Sequence, residues 1–440
     1  MRTPRPRLLL AAFILVALSW QPVCGAGQEA KKVYTLEESV KEALANNWAY
    51  KAKEEGVSRA QEVQKKARSE FLPKLGLDYR YTRLGEPGFI AGAGGAVVLS
   101  SGDFFQGVFK VRQPIFTGFV LSSTYRLAEL GVDLSELDVE LEKLNLALRV
   151  KEAYFNILGA DRLVEVATSA VESIEANVNV ARNFYEVGMN PINEVLRAEV
   201  ELGNAKQNLI KFKNAARLSR SSFNTILVKP ITSPVEVEDI LTYEPETGDL
   251  DAYVAMALER RPEIRIIDVN LDQVDQQKRL ARSGYYPQVA LGYDYIKEGD
   301  TYAVDGSGGR NANSWQVTAT ATWTFWEWGK TRYSVREQDS AAKQLLATRK
   351  ELEDQIRLQV QEAIFALEEA ELNIPTTKKA VEQGEENLRV NEERYRAQVQ
   401  TITEVLDAQT LLSQARVNYY QALYDHNLAS FRLQRAMGSY

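Results

Sequence analysis

Carboxylates dominate the side chains in this sequence that could do chemistry. Glu368, Glu369 and Glu371, then Glu385 with Glu386, Glu392 with Glu393, and Glu404 with Asp407 stand close enough along the chain to share a proton. Acid–base catalysis by such pairs needs two environments that push the partners' proton affinities apart. The Glu-rich runs instead fall between apolar heptad positions, on polar helix faces, and read as solvated. Glu404 and Asp407 lie one turn apart and share a helix face; taken alone they too read as a solvated pair. Other chemistries lack their partners. One His and one Cys in 440 residues cannot build a zinc site, a disulfide framework or a Cys/His dyad with a spare ligand. His426 occupies an apolar heptad position, as a buried core histidine does. The segment Asp305 to Gly309 has too few acids for a calcium loop. Neither it nor Gly92 to Gly95 opens a helix after a strand as phosphate loops do. No enzyme, cofactor or metal site is expected. With 53 Lys and Arg against 60 Asp and Glu the net charge is −7, which argues against nucleic acid as a partner.

The elements that must position these acids are written twice. Arg2, Arg5 and Arg7 precede the apolar run Leu8 to Trp20, with small residues at Gly25 and Ala26, the pattern of a secretory signal peptide over 1–26. Its removal takes away three Arg and moves the net charge to −10. Cys24 has a poor lipoprotein box before it, in Gln21, Pro22 and Val23, and is expected to leave with the leader. Ala67-Arg68-Ser69, Phe71, Pro73, Leu77, Tyr79 and Tyr81 recur 214 residues later as Ala281-Arg282-Ser283, Tyr285, Pro287, Leu291, Tyr293 and Tyr295. Tyr185, Ile192, Glu194-Val195-Leu196 and Ala198 recur 210 residues later as Tyr395, Ile402, Glu404-Val405-Leu406 and Ala408. Self-similarity at that scale indicates a tandem duplication, with units at 27–228 and 249–440 and a Pro-bearing connector at 229–248.

Each unit opens with a helix, about 36–70 and 250–282, capped by Thr35 with Glu38 and by Asp249. The period then becomes two over hairpins at about 71–116 and 285–328: Leu75, Leu77, Tyr79 and Tyr81 alternate with polar or small residues, and Trp315 to Phe325 alternates apolar residues with Gln and Thr. Gly-rich loops join the two strands of each pair. After each hairpin the period becomes seven, through Val150, Ile157, Val164, Val171, Val178 and Tyr185, and again through Val360, Leu367, Ile374, Val381, Leu388 and Tyr395. A sustained heptad means coiled-coil packing. Returning helices run over 191–227 and 401–437. Pro375 inside the second long helix should kink or thin it.

Amphipathic strands of about 10 residues suit tilted transmembrane β-strands, and their end-clustered Tyr, Phe and Trp suit interfacial girdles. A soluble sandwich has the same alternation. It is disfavoured because the helices, about 100 Å long at roughly 1.5 Å per residue, are too long to cover a small sheet. Four strands cannot close a membrane barrel, whose smallest examples have about eight, so copies must associate. Two copies give a filled barrel and three a water-wide lumen.

The doubled unit, with Phe184-Tyr185-Glu186-Val187-Gly188 and Glu404-Val405-Leu406-Asp407-Ala408-Gln409, resembles the TolC family of outer-membrane efflux channels over nearly the whole mature chain. The resemblance implies a mainly α fold with a membrane β-barrel portion: a homotrimer closing a twelve-stranded barrel in outer-membrane lipid, continued by an α-helical tunnel of coiled-coil helices across the periplasm. It implies a passive exit duct for efflux or type I secretion, working with a periplasmic adaptor (membrane fusion) protein and an inner-membrane pump. It places Val187, Gly188 and Met189 with Ala397, Gln398 and Val399 at the adaptor-binding tip, although Gln398 stands where many relatives carry Gly. Glu404 and Asp407 would line the pore as an acidic ring, Tyr395 and Arg394 would tether its closed state, and Glu194 would be the weaker counterpart, since Arg197 sits where Asp407 does. The competing expectation is a periplasmic or surface coiled-coil protein without a pore.

Overall fold

A computed structural model describes residues 33–85, 88–92, 95–100, 102–243, 248–306 and 311–440; the leader and Cys24 lie outside them. In chain order, β1 (Val33–Tyr34), α1 (Leu36–Asn46) and α2 (Trp48–Ser69) precede β2 (Lys74–Arg83), β3 (Gly88–Gly92), β4 (Gly95–Ser100) and β5 (Asp103–Phe116). Helix α3 (Val120–Glu186) follows and returns as α4 (Ile192–Ile226). The sequence of elements then repeats, with β6 (Glu236–Val237), α5 (Leu250–Arg260), α6 (Pro262–Arg282), β7 (Gln288–Gly299), β8 (Asn313–Thr322), α7 (Lys330–Arg396) and α8 (Ile402–Ala436). The long helices α3 and α7 have 67 residues each, and the returning helices α4 and α8 have 35 each. The heptad residues Val150, Ile157, Val171 and Val178 of α3 are buried, as are Val360, Leu367 and Ile374 of α7.

Local chemistry corrects several sequence expectations. The entry helices are each broken in two, at Asn47 and Arg261. The Asn47 side chain accepts from the N–H groups of Ala49 and Tyr50 and so starts a new helix, while Pro262 at the first position of α6 pushes Arg261 out of the helical region. Thr35 does cap α1 through the Glu38 N–H at 3.2 Å, but Asp249 makes no side-chain cap. Helix α7 runs unbroken through Pro375, and the hydroxyls of Thr376 and Thr377 donate to the carbonyls of Leu372 and Asn373 one turn back. The loop after β2 contains a separate antiparallel hairpin, β3 with β4. Strand β8 stops at Thr322, so the aromatic run Trp323 to Trp328 belongs to the crossing into α7.

Strands β2, β5, β7 and β8 form one antiparallel sheet in that order, leaving β2 and β8 as edges. Its register aligns residue types across all four strands. Leu75 faces Val111, which faces Tyr293, which faces Val317; Leu77, Phe109, Tyr295 and Trp315 form the next row. The opposite surface carries Asp78, Lys110, Asp294, Gln316 and the Thr residues of β8, with Arg112 and Asp294 paired at 2.6 Å. Leu77, Trp315 and Val317 are 77%, 68% and 64% exposed. An apolar surface left that open on one side, over a polar one, suits contact with lipid.

The helices lie side by side. In the half nearer the sheet the neighbours run α2, α3, α6, α7, and in the other half α4, α3, α8, α7. Short helices meet end to end at the equator. The Asn47 amide donates to the Ile226 carbonyl at 3.0 Å, joining α4 to α2. At the second junction Glu263 accepts from Arg261 at 2.9 Å and from Arg435 at 2.8 Å, joining α8 to α6. Burial alone would raise the Glu263 carboxyl, but the two guanidinium groups more than offset it and hold it low. The Tyr154 hydroxyl reaches the carbonyls of Tyr34 at 2.9 Å and Glu238 at 2.8 Å, and so pins the parallel β1–β6 pair to α3.

Left-handed backbone positions recur 210 residues apart: Gly118 and Trp328, Phe119 and Gly329, Gly188 and Gln398, Val228 and Gly438. One member of every pair is glycine and the other is not. The turns are imposed by the packing of both halves, with glycine relieving each in one half only.

The sheet generates a direct prediction. Leu77→Arg places a charge on the apolar surface and should cost about 2–4 kcal/mol in a bilayer, seen as loss of heat-resistant, membrane-inserted protein. Thr320→Arg, on the polar surface, should insert normally.

Candidate functional site

The far ends of the two helical hairpins pack on one another. Ile174 and Val178 of α3, Ala198 of α4, Tyr395 of α7, and Ile402, Val405 and Leu406 of α8 form one buried cluster. Tyr395 is 2% exposed, with its ring edge-on to Phe184 at 5.6 Å. Its hydroxyl accepts from the Asn190 amide at 3.2 Å and donates to the Glu194 carboxylate. Glu194 also accepts from Asn190 at 2.7 Å and from the Ile402 N–H at the start of α8. One carboxylate on α4 therefore ties together the first turn, the end of α7 and the beginning of α8.

The electrostatics follow from this placement. Burial, then the nearby charge of Glu404, pushes the Glu194 carboxyl above its ordinary value. Burial and Glu194 push the Tyr395 phenol up to about 12, so it remains a donor. Glu404 is exposed and held low by the Thr401 hydroxyl, with the Arg197 charge adding to the effect. Arg197 donates to the Thr403 hydroxyl at 2.9 Å, bridging α4 to α8.

Of the residues expected at a gate, the fold brings Tyr395, Glu194 and Glu404 together. Asp407 is exposed on the same face of α8 as Glu404. Arg394 is exposed and, among the described residues, its side chain has no hydrogen-bond or ion-pair partner; the bond at the end of α7 belongs to Tyr395. Asn190 and Thr401 were missed because their roles depend on the neighbouring turn. His426 is buried in α8 with Glu371 Oε1 3.8 Å from its Nε2 and the Tyr243 ring edge-on to it.

The expected tip residues Val187, Gly188, Met189, Ala397, Gln398 and Val399 are all exposed. Both turns close in the same way. The N–H of Gly188 donates to the Tyr185 carbonyl and that of Met189 to Phe184; the N–H of Gln398 donates to Tyr395 and that of Val399 to Arg394. This is the Schellman pattern. Gln398 adopts φ +59 in it, against +77 at Gly188, so the absence of Gly leaves the geometry intact at a conformational cost.

Comparison with known proteins decides what this arrangement belongs to. A family model for outer membrane efflux proteins matches residues 39–227 and again 253–439. The chain belongs to this outer membrane efflux protein family. It is an outer-membrane channel for efflux. TolC of Vibrio cholerae is 23% identical over 305 residues, 67% of this chain and 68% of that one. TolC of Escherichia coli is 22% identical over 388 residues, covering 85% and 76%. The crystal structure of the Campylobacter jejuni CmeC outer membrane channel superposes with a TM-score of 0.78 at 18% identity, covering 99% of this chain and 94% of that one. Membership in the efflux family removes the alternative of a coiled-coil protein without a pore.

Two predictions follow from the tip. A raised Glu194 pKa means that the packed tip binds this proton more tightly than the unfolded chain does. Its contribution is full below the ordinary carboxylate range and is lost as pH rises through the raised value. Glu404 acts in the opposite sense, with stability present above the ordinary value and lost as pH falls through the lowered one. Glu194→Gln should therefore flatten the loss of melting temperature as pH rises above the ordinary carboxylate range, read by circular dichroism. Gln398→Gly should stabilise the tip by about 0.5–1 kcal/mol, the left-handed cost less the extra freedom of glycine when unfolded, measured as slower proteolysis at the second turn.

Proposed function

We propose that three copies close one duct, a twelve-stranded barrel continued by a helical tunnel, which serves as the passive exit of a tripartite system with a periplasmic adaptor and an inner-membrane pump. The observation that carries this reading is the pair of open edges. Strands β2 and β8 run in opposite directions at the two sides of the sheet. The β8 edge of one copy can therefore pair antiparallel with β2 of the next, and lipid tolerates no unpaired edge. The helical edges carry matching apolar surface. Leu358, Phe365 and Leu372 are exposed at heptad spacing on α7, and Leu196, Val200, Ile210 and Leu218 are exposed on α4.

In this assembly Glu404 and Asp407 of three copies supply six carboxylates to the tunnel entrance, attracting cations and repelling anions. Tyr395, through Asn190 and Glu194, holds the two turns of one chain together and so resists opening. Arg394 is free to meet a neighbouring copy. Val187, Met189, Ala397 and Val399, with Gly188 and Gln398 setting the turns, form the exposed tip that meets the adaptor.

The test is conductance in planar bilayers. The wild type should form cation-selective channels blocked by multivalent cations, from particles of three chains by native mass. Glu404→Gln with Asp407→Asn should reduce both the selectivity and the block. Unchanged selectivity would take the gate away from these residues, and a monomeric particle without conductance would sink the duct.

A further inference from the structure

We propose that a recess beneath the sheet binds the phosphate headgroup of an anionic glycerophospholipid in the periplasmic leaflet of the outer membrane. The recess lies between the start of α3 and the end of α6, with a volume of about 440 Å³. Arg126, Arg279 and Arg282 line it with Gln276 and two serines, and among the described residues no carboxylate does. Arg126 is held by Glu129 at 2.5 Å and Arg279 by Asp275 at 3.2 Å, from outside the lining. Arg282 is exposed and has no hydrogen-bond or ion-pair partner among the described residues. Three guanidinium groups lining one recess, with carboxylates such as Asp133 and Asp272 near Arg126 but outside the lining, fit a phosphate diester, which accepts their paired N–H groups.

Location selects the lipid source. Phe119 and Tyr286 form the remaining lining, with ring centroids 5.4 Å apart. Phe116 packs on both, at 5.6 and 6.3 Å, and pairs in register with Val289, whose strand neighbours Leu291 and Tyr293 lie on the apolar surface. The recess thus opens on the lipid side, immediately below the last membrane-facing ring, where phosphates of that leaflet sit. Helices α3 and α6 are inner neighbours in the row α2, α3, α6, α7, so an adjoining copy at either edge leaves the recess open. The inference needs only one chain in the outer membrane and does not rest on the trimer.

The duplication repeats the charges at this height. Arg332 and Arg336 stand 210 residues after Ser122 and Arg126, and Lys65 and Arg68 stand 214 before Arg279 and Arg282; all four are exposed. They fall on α7 and α2, the outer helices of the row. A basic belt under an apolar sheet is the arrangement that anionic headgroups favour.

The test is native mass spectrometry of the full mature protein mixed with phosphatidylglycerol or phosphatidylcholine. Wild type should retain phosphatidylglycerol over phosphatidylcholine. Arg279→Gln with Arg282→Gln should lower phosphatidylglycerol retention by about thirtyfold, at roughly 1 kcal/mol for each of the two arginines, without changing phosphatidylcholine. Lys213→Gln with Arg217→Gln, on α4 and away from the sheet, should leave both unchanged. If the double variant fails to assemble, Arg282→Gln alone is read the same way, since among the described residues its side chain makes no hydrogen bond or ion pair and only its charge reaches Asp339. Wild-type retention by the arginine variants would overturn the site. Displacement of the lipid by an equal concentration of inorganic phosphate would overturn the lipid as its occupant.

Discussion

A backbone group in lipid has no water to bond, and the sheet of this protein leaves two rows of such groups open. Much of the architecture answers that constraint. The four strands share a register that gathers most of the large apolar side chains on one surface, with Phe104, Val108 and Ile296 on the other, so one surface of the sheet is much the better suited to lipid. The helices below continue the strands, α2 into β2 and β5 into α3, then α6 into β7 and β8 into α7, so the order of the helical row is inherited from the order of the sheet. An edge left open in the sheet is then prolonged, along the rods, by helix edges with exposed heptad residues.

The duplication lets one solution be used twice, but the two halves are not equivalent where they carry load. At the equator, a neutral amide-to-carbonyl bond from Asn47 joins one pair of short helices, while the three-charge group of Arg261, Glu263 and Arg435 joins the other. A partly buried carboxylate between two guanidinium groups tolerates the loss of a partner poorly, so the second junction is the more sensitive to substitution. At the tip the asymmetry is reversed in character. The first hairpin contributes the acceptor, Glu194, and the second contributes the donor, Tyr395, so that the bond joining the two turns needs both halves. Equivalent positions in a tandem repeat can thus serve complementary roles once the halves pack together.

The membrane rim shows the same economy. Aromatic residues at the crossing from strand to helix, Phe119 and Trp328, sit in left-handed turns beside Gly118 and Gly329. Each crossing needs two such residues in succession, and the halves place the glycine first in one and second in the other. The basic side chains lie immediately below, on the exposed faces of the helices, where the chain passes from lipid to water.

Periodicity made most of this fold legible. Strands announce themselves as Leu75 to Tyr81 and Trp315 to Ala321 because a sheet with one apolar surface must alternate, and the long helices do so because a coiled-coil seam must return every seven residues. Those are local rules, and the residues obey them wherever the chain goes. The breaks at Asn47 and Arg261 were hidden because amphipathic spacing on either side is compatible with one continuous helix; the interruptions arise from a cap and a proline, and from the need to meet another helix end. The acids at the tip were visible but their ranking was not. Sequence points to Glu404 and Asp407 because they share a face, whereas Glu194, the carboxylate that is desolvated and ties three elements together, acquires that role only from Asn190, Tyr395 and the Ile402 N–H. Those three lie 4, 201 and 208 residues away along the chain. What the sequence determined by itself is whatever follows from spacing within one element; what only the tertiary structure decided is which groups lose water and which partners replace it, because that depends on distances no linear pattern contains.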